Sequence, residues 1–148
     1  MQMPTIDLPD PNVWLALTDS DHQHHCRARR YWEQESLAEI AFCRITMLGL
    51  LRLLTHPKVM RENPFTVTNA WSAYETLAAL PEIYFIEESF LVEEHFARLT
   101  KARDFAASRW TDAWIAAIAH SADARVVSFD SDFATFGDLR FLHLTPHA

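Results

Sequence analysis

Short apolar runs alternate along the chain with longer segments whose apolar residues recur at helical spacing. The runs have the length of buried strands and lie at residues 5–8, 38–43, 83–86, 125–129 and 141–144. Helical spacing predicts helices at residues 12–17, 22–35, 47–55, 68–80, 89–101 and 110–120. Strands that alternate with helices form parallel sheets whose two faces are both covered. The pattern therefore predicts an α/β fold, a three-layer α/β/α sandwich with a central, mostly parallel sheet, built as a single domain over residues 1–148.

Polar residues and prolines indicate where two of these helices begin and end. Asn12 is predicted to cap the first helix, because its side chain can accept hydrogen bonds from free backbone N–H groups. Thr46 is predicted to cap the helix over residues 47–55, which Pro57 closes. These local signals agree with the periodic pattern at both helices.

Two aspartates follow predicted strands. Asp10 comes after the first strand, between Pro9 and Pro11, and Asp130 comes directly after the run at 125–129. In parallel sheets, ligands bind beyond the carboxyl ends of the strands, so we expect both aspartates at the same edge. Neighbouring carboxylates repel, and a divalent cation is the ordinary means of holding them together. The pair therefore indicates a candidate metal site.

Two further aspartates join this candidate site. Asp112 opens the strongly apolar helix at 110–120. A carboxylate there either stabilises the first turn through the helix dipole or faces the same edge of the sheet as Asp10 and Asp130. Asp132 completes an Asp-Ser-Asp turn, which on its own is a common surface turn. Together with Asp10 and Asp112, this turn becomes a better candidate for metal binding.

The composition limits the classes of function. Only two of the 148 residues are glycine, so neither of the glycine-rich loops that hold nucleotide phosphates can be assembled. The formal net charge of −7 argues against a domain that holds nucleic acid by bulk electrostatics, although a cation-binding carboxylate cluster contributes to this charge. Arg52 either contacts phosphate or pairs with an acid. Grouped basic residues either contact phosphate or form solvated faces: Arg27, Arg29, Arg30, Lys101, Arg103 and Arg109.

The expected setting is the cytoplasm, with no membrane association. No apolar run approaches the ~20 residues of a membrane span, and the N-terminus lacks the basic and apolar regions of a secretory signal. Cys26 and Cys43 are therefore interpreted as reduced, partly buried thiols. The neighbouring histidines His22, His24 and His25 mark either a local zinc site or an exposed helix start.

Four segments carry a resemblance to a known family: DPNVWLAL at 10–17, CRITMLGLLRLLT at 43–55, WTDAWIAA at 110–117 and VSFD at 127–130. No single one of these motifs is diagnostic. Their order and separations, in a chain of this length, resemble those of PIN-domain ribonucleases, specifically the VapC-type toxins of bacterial toxin–antitoxin systems. The resemblance covers essentially the whole chain and implies a PIN-like domain.

The resemblance also implies roles for individual residues. PIN domains are similar to one another in a parallel sheet whose edge gathers several acidic residues around Mg²⁺ or Mn²⁺. By that resemblance Asp10, Asp112 and Asp130 are metal ligands and catalytic residues, and Asp132 matches a further acidic position that only some members have. Thr111 and Ser128 fall where small hydroxyl residues flank the site. Asn12 either caps its helix or orients Asp10 through a hydrogen bond.

One acidic position of the family is missing. Many relatives have a glutamate three residues beyond a Ser or Thr in the helix after the second strand, where this chain has Gly49 after Thr46. Other similar sequences have a glutamate directly after the Thr, where Met47 stands here. Glu39, on the preceding strand, is a weak substitute. The sequence therefore implies a site of three or four aspartates, or reduced metal affinity and activity.

The leading hypothesis is a Mg²⁺- or Mn²⁺-dependent endoribonuclease that hydrolyses RNA phosphodiester bonds as the toxin of a toxin–antitoxin pair. The resemblance implies a cognate antitoxin and a homodimer. A metal-activated water would attack the phosphate, with Asp112 or Asp132 accepting its proton. The alternative is a catalytically weak PIN-like module that binds RNA or protein. A DNA-directed nuclease on the same fold is disfavoured by the acidic charge.

Overall fold

Five parallel strands form the centre of the computed structural model, which describes residues 3–102 and 104–146. In chain order the strands are β1 (Ile6–Pro9), β2 (Glu39–Cys43), β3 (Ile83–Ile86), β4 (Arg125–Ser128) and β5 (Phe141–His143). They lie in the order β3-β2-β1-β4-β5, and each adjacent pair is parallel. The strand positions and the parallel arrangement predicted from the sequence are confirmed.

Helices cover both faces of this sheet: α1 (Pro11–Thr18), α2 (His25–Arg30), α3 (Arg44–Leu54), α4 (Val67–Ala78), α5 (Leu91–Thr100) and α6 (Trp110–Ala122). Side chains alternate between the faces of a strand, so β2 contributes to two separate layers of the core. Ile40 and Phe42 pack with apolar residues of α1 and α3, whereas Ala41 and Cys43 pack with those of α6. The predicted α/β/α sandwich is confirmed. Within the described residues, no helix combines the length and the apolar character that crossing a membrane requires.

Strands β1 and β4 lie side by side at the point where the winding of the chain reverses. From β1 the chain proceeds through β2 to β3 at one edge, and then returns to β4 and β5 on the other side. In open α/β sheets, the crevice beyond the carboxyl ends of two such strands is the usual ligand site. Asp10 and Asp130 follow these two strands, so the topology brings them to this crevice.

The two predicted helix caps are wrong by two or three residues. Asp10, not Asn12, caps α1, because its Oδ1 accepts the Val13 N–H at 3.1 Å while Pro11 occupies the first helical position. Helix α3 begins directly after β2 at Arg44, two residues before Thr46. The Thr46 hydroxyl instead accepts the N–H of Cys43 at 2.9 Å, which closes the junction between strand and helix.

The segment predicted as one helix over 22–35 is divided. Helix α2 covers only His25–Arg30, and Tyr31–Glu35 continues it as a wider π-helical turn. In this turn the fully buried Tyr31 donates its hydroxyl to Asp7 at 2.7 Å. The residues before His25 form a loop, whose position bears on the site described next.

Candidate active site

A cleft of about 260 Å³ opens at the carboxyl ends of β1 and β4. Four of the site residues predicted from the sequence line it: Asp10, Asn12, Ser128 and Asp130. The loop before α2 forms the other wall with His22, Gln23 and His24. Phe129, between Ser128 and Asp130 in the chain, also lines the cleft. The cleft therefore combines carboxylates with amide, imidazole and aromatic groups.

Asp10 is held rigidly at the base of this cleft. Its side chain is 95% buried, since the residue is only 5% exposed. Oδ1 accepts the Val13 N–H, and Oδ2 accepts a hydrogen bond from the hydroxyl of Ser128. The same Ser128 oxygen accepts the Asp130 N–H at 2.9 Å. Ser128 therefore connects the two strand ends and fixes the spacing between Asp10 and the backbone of Asp130.

The negative charge of Asp10 is poorly compensated. Burial raises the pKa of Asp10 to about 6, against the lowering effect of the hydrogen bonds from Ser128 and Val13, and the charge of Asp112 raises it further. Among the described residues, no Lys, Arg or His forms an ion pair with Asp10. Either a bound proton or a cation from outside the chain would stabilise a carboxylate in this situation.

Asp112, Asp130 and Asp132 lie close enough to interact electrostatically. Asp112 is half-buried in the first turn of α6, where burial, Asp130 and then Asp132 raise its pKa, opposed by Arg109. Asp130 caps a short 3-10 turn at Ser131–Thr135, its Oδ1 accepting the Asp132 N–H at 2.8 Å. Electrostatic interactions through Asp112 therefore connect the four predicted carboxylates, of which Asp10 and Asp130 line the cleft and Asp112 and Asp132 do not.

Arg109 is the basic residue that stabilises this region. Its guanidinium donates to the Asp132 carbonyl and to the Thr135 hydroxyl, both at 2.6 Å, and lies 4.4 Å above the ring of Phe136. These contacts tie the loop that carries Asp132 to the start of α6. Arg109 therefore has a defined role beside the carboxylates, in contrast to the solvated face that is one interpretation of the sequence.

The carboxylate set fits a hard divalent cation. Mg²⁺ prefers oxygen ligands and keeps several of its own waters, so a few carboxylates are enough to bind it. In the part of the chain that the structure describes, no three acidic, His or Cys side chains are already arranged around one point as a complete ligand set. The donor chemistry and the uncompensated charge of Asp10 are thus what favour Mg²⁺ or Mn²⁺ here.

The position of Gly49 leaves no room for the family's second acid. A Cβ atom at this position would lie 2.5 Å from Cγ of Pro11, well inside contact distance. The proline ring is rigid, so a side chain at residue 49 would displace Pro11 and with it the neighbouring Asp10. Glu39 does not replace this acid, because it starts β2 and therefore lies at the opposite end of the sheet.

Four of the predicted residues do not line the cleft: Asp112, Asp132, Thr111 and Arg52. Thr111 is exposed in the first turn of α6 next to Asp112. Arg52 is in the last turn of α3, roughly 12 Å of helical rise from Arg44 at the sheet edge, so the phosphate contact predicted for it is not supported by its position. Arg103 lies outside the described residues.

The local zinc site is also not supported. His24 stacks on Phe129, while Nδ1 of His25 lies 2.7 Å from the carbonyl of Ala16. Cys26 and Cys43 are both free, as expected. Burial raises the pKa of the Cys43 thiol, which therefore stays protonated and weakly reactive.

Sequence reasoning missed two parts of this region. Periodicity cannot show that the loop containing His22 and His24 crosses to the cleft, since that depends on the length of α1 and the packing of α2. Glu88 follows β3 at the same edge of the sheet and accepts the Trp114 indole N–H at 2.9 Å. The sequence could have indicated Glu88, because this residue follows a predicted strand as Asp10 and Asp130 do.

The raised pKa of Asp10 predicts a pH-dependent stability. Its ordinary value of 3.8 applies to the unfolded chain, and the folded value is about 6, so the folded protein holds this proton more tightly. The resulting stabilisation is complete below about pH 4 and is lost as the pH rises through about 6, by about 3 kcal/mol at most. Urea unfolding in EDTA at a series of pH values measures this effect. The variant Asp10→Asn should lack that share of the pH dependence, and identical curves for both proteins would contradict the assignment.

Comparison with known proteins adds three findings. The PIN domain family matches residues 8–139. Ribonuclease VapC41 of Mycobacterium tuberculosis is 36% identical over 143 residues, which cover 91% of this chain and 97% of that protein. The crystal structure of M. tuberculosis VapC20, a sarcin–ricin loop cleaving toxin, superposes with a TM-score of 0.69 at 18% identity over 88% of this chain and 95% of that one. The crystal structure of VapBC2 from Rickettsia felis, bound to a DNA fragment from its promoter, superposes with a TM-score of 0.67 at 13% identity. This match covers 93% of this chain and 98% of that one.

Proposed function

This chain belongs to the PIN domain family as a VapC-type toxin ribonuclease, and we propose that its hydrolysis of RNA depends on Mg²⁺ or Mn²⁺ held by Asp10, Asp112 and Asp130. The observation that carries the proposal is the buried carboxylate of Asp10, which forms no ion pair among the described residues and feels the charge of Asp112. The whole chain, residues 1–148, is proposed to act as one PIN-like domain.

The side chains around Asp10 have distinct tasks in this proposal. When bound, the cation lowers the pKa of water and neutralises charge on the phosphate oxygens. Ser128 and the Val13 N–H hold the Asp10 carboxylate in one orientation. Asp112, whose pKa is raised by burial and by Asp130, is well suited to accept the proton of the attacking water. Arg109 holds the loop of Asp132 in place.

Partners are proposed from the same family relationship. Solved relatives include toxin–antitoxin complexes, which supports a cognate antitoxin for this chain. An antitoxin segment that presents a basic side chain to the carboxylates would compete directly with the cation. A homodimer is proposed because large apolar side chains stay exposed on the described surface, among them Leu48, Val67, Trp71 and Phe90. The cytoplasm is the proposed setting.

Metal removal tests the central claim. We expect the purified protein to cleave bacterial RNA in Mg²⁺ or Mn²⁺, to stop in EDTA, and to recover when the cation is restored. Asp112→Asn should lower the cleavage rate about a hundredfold or more, because general-base catalysis contributes on that scale. Gel electrophoresis of labelled RNA measures both effects.

Glu94→Gln is the matched control, since it removes an exposed carboxylate of α5 by the same chemical change. It should cleave at the wild-type rate. Cleavage that continues in EDTA would contradict metal dependence. RNA binding without any cleavage would instead favour the catalytically weak binding module, which the absent acid at Gly49 keeps as the second candidate.

A further inference from the structure

The loop between α1 and α2 is built to hold one shape beside the cleft. Asp19 is almost fully buried, and its carboxylate accepts the Asp21 N–H at 3.1 Å and an Arg61 N–H at 3.0 Å. Burial lowers the pKa of His22, so its neutral ring can accept the His24 N–H at 3.0 Å. These bonds keep His24 in a fixed position on the wall of the cleft.

His24 and Phe129 form a stacked pair of rings at this wall. Their ring centroids are 4.8 Å apart with an angle of 27° between the planes, and both side chains are partly exposed. Phe129 is flanked in the chain by Ser128 and Asp130, the residues that organise the acidic side of the cleft. His143 fixes the backbone there, its Nε2 lying 3.0 Å from the Phe129 carbonyl. A stacked pair of partly exposed rings therefore lines the same cleft as Asp10 and Asp130.

We propose that the His24–Phe129 pair is the surface on which a nucleobase stacks, next to the phosphate that is cleaved. This inference rests on the proposed ribonuclease function and deepens it, because it names the side chains that would hold one unpaired base of the RNA in the cleft. Proteins recognise single-stranded RNA mainly by stacking unpaired bases on aromatic side chains.

The charge distribution supports stacking as a source of affinity. The net charge of −7 gives little general attraction for a phosphate backbone. The basic cluster that follows His24 in the sequence is partly offset by acidic partners. Arg27 pairs with Glu35, and Arg29 pairs with Glu33. Contacts to the base are then needed to hold RNA against a site that is itself lined with carboxylates.

The test combines abasic RNA with variants of the pair. A site of cleavage is first mapped on single-stranded RNA, and short synthetic RNAs spanning it are made with each flanking nucleotide in turn lacking its base. For wild type, we expect one abasic position to lower kcat/KM about tenfold, the scale of one stacked base. His24→Ala should cause a similar loss on intact RNA and little further loss on that abasic RNA. Phe129→Leu, which keeps apolar volume but removes the ring, should behave in the same way.

The double comparison separates stacking from a structural role. A variant that only weakened the fold would lose the same factor of kcat/KM on intact and on abasic RNA. The inference would therefore be overturned if the loss from the variant multiplied the loss from the missing base at every abasic position. His24→Phe should restore the sensitivity to the abasic position. Tyr84→Ala, which removes an exposed aromatic side chain of the edge strand β3, should leave the comparison as in wild type.

Failure of the proposed function is distinguishable from failure of this inference. Suppose that cleavage depends on the metal, but that the losses from the variant and from each abasic position multiply. That result would leave the ribonuclease proposal intact and overturn only the stacking inference. If wild type does not cleave, fluorescence anisotropy of the same RNAs reads the stacking through binding. The inference would be supported if wild type bound one abasic RNA more weakly than the intact RNA and His24→Ala showed no such difference. It would be overturned if wild type bound all of these RNAs equally or bound none of them.

Discussion

We expect Asp10→Asn to lower the rate of RNA cleavage about a thousandfold, because losing a metal-binding carboxylate removes several kcal/mol of transition-state stabilisation. Asparagine has the same shape and its oxygen can still accept the Val13 N–H, so the cap of α1 is retained. Cleavage of labelled RNA under single-turnover conditions gives the rate, and circular dichroism shows that the fold is intact.

The same variant should separate metal binding from folding. Mg²⁺ or Mn²⁺ is expected to raise the melting temperature of wild type, since a ligand that binds only the folded state stabilises it. Asp10→Asn should lose this rise and should be no less stable than wild type in EDTA at neutral pH, because it removes a buried and uncompensated charge. Activity within tenfold of wild type, or an unchanged metal-induced rise, would contradict the role of Asp10.

The location of this site could be predicted because it depends on topology. Alternating strands and helices imply a parallel sheet, and the aspartates after β1 and β4 then meet at one crevice whatever the details of packing. For Asp112 the sequence leaves two interpretations, a first-turn carboxylate stabilised by the helix dipole or a member of the site, and its position in the first turn of α6 near Asp130 agrees with both. These inferences use only periodicity and chain order, which a single sequence contains.

Other features depend on contacts that a sequence does not display. Asn12 and Thr46 are good capping residues, but the adjacent Asp10 and the direct junction of β2 with α3 decided where the helices begin. The clash at Gly49 is a distance between two helices. The stacking of His24 on Phe129 joins residues far apart in the chain, and its position depends on a loop with no periodic signal.

Asp7 gives the sharpest contrast, because it lies on β1 only three residues before Asp10 and has the opposite surroundings. It is fully buried and pairs in register with Arg125, whose guanidinium donates to both of its oxygens at 2.7 and 3.0 Å. Tyr31 and the Leu37 N–H complete its hydrogen bonds. Nothing in the run IDLPD shows that the charge of Asp7 is balanced and that of Asp10 is not. The difference comes from distant residues, on β4 and in and after the turn that follows α2, which contact Asp7.

Asp7→Ala is therefore expected to lower the free energy of unfolding by about 3–5 kcal/mol, the cost of breaking a buried ion pair by removing one partner. The loss leaves the Tyr31 hydroxyl and the Leu37 N–H without their acceptor and Arg125 without its counter-ion. For a domain of this size, the melting temperature should fall by roughly 10 °C. Urea and thermal unfolding measure both quantities, with Asp21→Ala as the matched control because that aspartate is exposed and should change stability by less than about 0.5 kcal/mol. If Asp7→Ala proved as stable as Asp21→Ala, the ion pair would not hold β1 to β4, and the assignment of Asp7 to folding and Asp10 to chemistry would lose its basis.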